Sequence, residues 1–131
     1  MSGLSSYLQD RLIDNLFLGY TIGTYSSLYV SLHSADPIDV GSYELSGNGY
    51  NRVSVPCISD YWRKLNNTVS NNVIITFPTA SSSWGTVSHF GIWDSPSGGN
   101  MLFSGQLSNP RTIHQDDLMS FPVSFLTVTF D

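Results

Sequence analysis

The chain is short of charge, of cysteine and of long apolar runs, and each shortage narrows what it can be. Only 11% of its 131 residues are Asp, Glu, Lys or Arg, less than half the share of about 25% in ordinary domains. Five Lys and Arg, with Lys64 the only lysine, stand against ten Asp and Glu for a net charge of −5. A nucleic-acid binder neutralises phosphates with clustered cations, so nucleic acid is not expected as a partner. Cys57 is the only cysteine, which leaves no internal disulfide framework. Nowhere do about 18 apolar residues run together, as a membrane helix requires. Near the N-terminus the apolar residues are interrupted by Gln9, Asp10, Arg11, Asp14 and Asn15 with no basic stretch ahead of them. No membrane span and no secretory leader are expected.

What is present suits a packed domain with a neutral exterior. Apolar residues make up 40% and aromatics 13%, enough for one core in a chain of this length. Ser, Thr and Asn together account for 40 residues. Interface centres are depleted of charge and enriched in aromatics, so this composition fits a protein that packs against neighbours.

One helix and a series of strands follow from periodicity. Leu8, Leu12, Ile13, Leu16 and Phe17 recur at helical spacing, predicting a helix over 6–18. Ser6 with Gln9 has the form of a capping box, and Gly19 is placed to end the helix. A helix this short is marginal alone, so its apolar stripe must dock on a sheet or on another subunit. From Ser26 the period becomes two: Leu28, Val30 and Leu32 alternate with Tyr29, Ser31 and His33. Further strands are predicted near 50–55, 73–77, 86–93, 101–105, 111–114, 118–121 and 124–130. Gly91 marks a bulge or a close backbone approach within one of them. Loops are expected over 34–49, 59–72 and 94–99. In the last strand, Leu126, Val128 and Phe130 face one way and Phe125, Thr127 and Thr129 the other, which predicts a wet outer side. The pattern is that of an all-β sandwich with a short N-terminal α-helix, divided as a helical segment over 1–20 and a sandwich over 21–131.

No catalytic constellation emerges from the spacing. His33, His89 and His114 lie neither at i, i+4 nor beside a cysteine, as zinc ligation asks. Asp36, Asp39 and Glu44, and separately Asp116 and Asp117, fall in turns where Asx geometry explains them. There is no G-x-S-x-G, and Gly47-Asn48-Gly49 does not extend into a phosphate cradle. Cys57, flanked by Val55, Pro56 and Ile58, reads as a buried small hydrophobe. Catalytic residues, metal and cofactor are all expected to be absent. Trp62, beside Arg63 and Lys64 in a polar stretch, is expected to be exposed.

Several segments resemble one protein family. Leu32-His33-Ser34-Ala35-Asp36-Pro37, Leu45-Ser46-Gly47-Asn48-Gly49-Tyr50 with Arg52, Ile75-Thr76-Phe77-Pro78-Thr79-Ala80 and Trp84-Gly85-Thr86-Val87-Ser88-His89-Phe90-Gly91-Ile92-Trp93-Asp94 occur in order, followed by Gly99-Asn100-Met101-Leu102-Phe103 and Leu126-Thr127-Val128. Together they are similar to small virion proteins of tailed phages, labelled tail fibre proteins and including capsid decoration, or cement, proteins. The resemblance spans nearly the whole chain, departing from it over 56–72.

That resemblance implies a jelly-roll-like sandwich that acts without catalysis. Its first expectation is a homotrimeric cement protein on the capsid surface, with the major capsid protein as partner. Leu8, Leu12, Ile13, Leu16 and Phe17 would then form the subunit interface. Asp36, Tyr43, Tyr61, Trp62 and Arg63 would meet the capsid. The alternative is a tail-fibre or receptor-binding module on the tail, in which exposed Trp62 or tyrosines take a host surface glycan.

Overall fold

The polypeptide starts on the edge of its largest sheet and immediately turns into the helix. A computed structural model describes residues 3–130. Strand β1 (Gly3–Leu4) leads into α1 (Ser6–Leu18). Ser5 is the N-cap, its hydroxyl accepting from the Leu8 N–H. The cap thus falls one residue before the predicted Ser6, because the Ser6 hydroxyl is taken by Asp39. Gly19 closes the helix at φ 76°, a left-handed conformation that costs glycine little.

Nine strands follow: β2 (Ser27–His33), β3 (Val53–Pro56), β4 (Trp62–Leu65), β5 (Thr68–Asn71), β6 (Ile75–Thr76), β7 (Gly85–Trp93), β8 (Met101–Ile113), β9 (Ser120–Phe121) and β10 (Thr127–Thr129). They form a five-stranded sheet in the order β1-β8-β7-β2-β3, a three-stranded sheet β10-β5-β4 and a two-stranded sheet β6-β9. All pairings are antiparallel. The core lies between the large sheet and the two small ones: Val30, Leu32, Val87, Phe90 and Ile92 pack with Ile75, Phe77, Phe121, Leu126 and Val128. This is the predicted all-β sandwich with its N-terminal helix.

Two expectations are corrected by pairing. The stretch 59–72 is a hairpin, β4 with β5, turning at Asn66 with φ 55°. Its residues are too polar for an alternation signal, and the ladder wins through Val69 and Asn71 on its inner side. Residues 101–113 are one strand, where a break was expected. Register with β7 jumps from His89↔Gln106 to Val87↔Arg111, so residues 107–110 bulge out opposite Ser88. Pro110 sits in that bulge, where no ladder donor is needed.

Asn71 binds the hairpin to the rest of the small layer. It is fully buried, and its amide nitrogen donates to the carbonyls of Val73, Phe121 and Pro122 while its oxygen accepts from the Leu126 N–H. One side chain thereby fixes the chain around β9 and β10 against β5.

Candidate functional site: an apolar helix, a polar lock and a hydroxyl-lined face

The helix is held at its N-terminal end. β1 pairs with β8 through Gly3↔Ser104 and Leu4↔Phe103, and the Ser5 N–H donates to the Leu102 carbonyl at 2.8 Å. Asp39, from the loop after β2, accepts from the N–H and the hydroxyl of Ser6. Those hydrogen bonds hold its carboxyl below the usual range. Farther along, Arg11 donates to the Thr21 carbonyl and Asn15 to that of Tyr20.

The predicted stripe divides in two. Leu8 and Leu12 are half-buried, while Ile13, Leu16 and Phe17 are 52%, 72% and 79% exposed. No residue of α1 is buried. Leu18 in the last turn and Tyr20 just past the Gly19 cap are exposed as well.

On the outer face of the large sheet lies a polar lock. Alternation along β2 and β7 turns Ser31, His33, Gly91 and Trp93 away from the core, yet the loop over 34–44 covers them and all four are buried. The indole N–H of Trp93 donates to Ser31 Oγ at 2.8 Å. Because His33 Nδ1 faces the Ser42 carbonyl at 2.8 Å, that nitrogen carries the proton, and Nε2 accepts from the Ser31 hydroxyl at 2.7 Å. Burial pushes His33 below its ordinary value, against the Ser42 bond and Glu44, and keeps it neutral.

Above the indole, the Arg52 guanidinium sits 3.7 Å from the ring centroid. Its Nε and Nη2 donate to Glu44 at 2.9 and 2.8 Å, and its Nη1 to the carbonyls of Ser95 and Gly98. Tyr50 donates to the same carboxylate and accepts from the Leu32 N–H. Burial alone would raise the Glu44 pKa, but the bonds from Arg52 and Tyr50 and the Arg52 charge bring it below normal. Burial, then the bond to Glu44, drives the Tyr50 hydroxyl strongly upward. Each member of this cluster is satisfied internally, so it fastens two loops to the sheet.

The third feature is the outward side of the small sheet. Arg63↔Ser70 and Thr127↔Ser70 are direct cross-strand partners, so one row reads Arg63, Ser70, Thr127. Leu65, Thr68 and Thr129 form the next row. With Asn66, Asn67 and Ser124, residues of these rows line an open cleft of about 370 Å³.

The residues singled out as contacts are therefore dispersed. Asp36 and Tyr43 are exposed on the loop over the lock, the Asp36 carboxylate accepting from the Ile38 N–H. That loop also exposes Ile38 and Val40. Tyr61 and Trp62 are half-buried and packed against the core, which corrects the expectation that Trp62 is a free aromatic face. Arg63, next in β4, points outward into the cleft. Ser70 was missed because its stretch read as a loop. Cys57 is exposed, against the expectation of burial, since it follows the edge strand β3. Among the described residues, no three His, Cys, Asp or Glu gather where a metal ion would be held.

The family model described as Podophage GP4 fiber I protein gp80 matches residues 3–129. No curated protein matches the chain.

Proposed function

The chain belongs to the podophage GP4 fiber I protein gp80 family, a phage virion structural family, and from that premise we propose that it is a non-enzymatic subunit of a tail fibre that contacts a host surface glycan. The observation that carries the assembly half of this reading is the exposed stripe of α1. Ile13, Leu16 and Phe17 lie on one face of α1 and are exposed, and burying a side chain of this size stabilises by about 1.5–3 kcal/mol. A second copy of the chain, as in a homotrimer, is the partner we propose, because the residues that would meet are apolar and their burial has to offset only the salt-screened repulsion between two −5 molecules.

The family's name supports a fibre over capsid decoration, in which the major capsid protein would be the partner. Tests separate the two halves. Equilibrium sedimentation should show an oligomer for the native chain and a folded monomer for Leu16→Ser/Phe17→Ser. A native monomer, or an unchanged mass in the variant, would remove α1 from assembly. Density for the protein on the tail in a reconstruction of the virion supports the fibre reading, and density confined to the shell overturns it.

A further inference from the structure

We infer that the cleft on the outward face of β4, β5 and β10 binds a carboxylate-bearing saccharide, with Arg63 gripping the carboxylate. This rests on the fibre reading, whose glycan it assigns to a chemical class and a place. In an acidic molecule with five Lys and Arg, Arg52 is committed to Glu44. Arg63 has no carboxylate partner among the described residues. The hydroxyls of Ser70, Ser124 and Thr127 likewise make no hydrogen bond there. A cation and three hydroxyls, all unspent, thus open onto one cleft whose floor is two cross-strand rows.

Geometry and chemistry agree on the ligand. Hydroxyl and amide groups exchange hydrogen bonds readily with sugar hydroxyls, and Leu65, 63% exposed, offers the apolar patch that a pyranose face covers. A guanidinium presents a planar fork that matches a carboxylate with two parallel bonds. The cleft holds one cation only. Lys64, adjacent in sequence, is paired with Val69 on the opposite side of the strand and does not line it. A phosphate, with up to two negative charges, calls for more than one cation, so a uronic-acid type of sugar fits better. Trp62 packs against the core and offers the cleft no aromatic face, so the apolar contact to the sugar falls to Leu65.

The test uses the full chain with oligogalacturonate and its methyl ester, which keeps the sugar shape and removes the charge. Isothermal titration or saturation-transfer NMR should show binding of the acid and about tenfold or weaker binding of the ester. Arg63→Gln should weaken the acid by a similar factor and leave the ester unchanged. Lys64→Gln, which removes the same charge from the other side of β4, should bind like the native chain. Ser70→Val provides a second probe of the floor, and unfolding midpoints confirm that each variant is folded. Equal affinity for acid and ester, no loss in Arg63→Gln, or no binding by the native chain overturns the site. Tail density without saccharide binding discards this inference and leaves the fibre reading, whereas binding with density on the shell does the reverse.

Discussion

Arg52 stacks its guanidinium over the ring of Trp93 at 3.7 Å while Glu44 grips it from the side at 2.8 Å. The contact ties the loop after β2, the approach to β3 and the hairpin between β7 and β8 into one unit. Truncating such a buried ionic partner leaves the other charge unpaired. Arg52→Ala should cost about 3 kcal/mol in urea unfolding. Arg52→Lys, which keeps the charge but not the fork, should recover only part of it.

Gly91 sits opposite Ser31 in the ladder, and a methyl there would lie 2.6 Å from Ser31 Oγ and 3.0 Å from His33 Nε2. Both neighbours are fixed by hydrogen bonds and cannot yield. Gly91→Ala is expected to lower stability by about 1–3 kcal/mol. Combining it with Ser31→Gly should return part of that loss, measured as non-additivity in a double-mutant cycle.

Acid should weaken the fold in two stages. His33 titrates below its ordinary 6.5 in the folded protein. Above about pH 6.5 both states are neutral, and the full stability is present. As pH falls below that, the unfolded chain takes up the proton first, and stability declines until the folded value is passed. Glu44, held below its ordinary 4.5, contributes above that pH and loses its contribution as pH falls through the depressed folded value. The urea midpoint should therefore drop between neutral pH and pH 5. In His33→Gln this upper stage should flatten while the lower, carboxylate stage persists.

Asn71 donates to three backbone carbonyls and accepts from the Leu126 N–H. Asn71→Asp replaces the donor with a buried carboxylate facing those carbonyls. The expected loss at neutral pH is about 3 kcal/mol or more, with part regained as the carboxyl is protonated. A midpoint equal to the native one at pH 7 would show that this amide does not hold the small layer together.

Local pattern determined a good deal of this molecule by itself. The spacing of Leu8, Leu12, Ile13, Leu16 and Phe17 and the stop at Gly19 specify α1, because helix periodicity and capping are properties of neighbouring residues. The alternation along β2 and into β10 foretells the core side, Val30, Leu32, Leu126 and Val128, but not that the loop over 34–44 buries Ser31 and His33 on the other side of β2. Gly91 left open a bulge or a close approach, and the structure shows the approach, to Ser31, His33 and Trp93.

What only the tertiary structure decided lies wherever partners are distant in sequence. Nothing near Trp93 says that Arg52 covers it, and nothing near Asn71 distinguishes a turn residue from a buried staple. The stretch 59–72 reads as a loop because its polar residues show no period, and it becomes a hairpin only when β10 pairs with β5. The Arg63, Ser70, Thr127 row exists only through that register. A ladder joins residues by hydrogen bonds between backbones, which every sequence carries alike, so cross-strand neighbours are chosen by the packing of the whole fold.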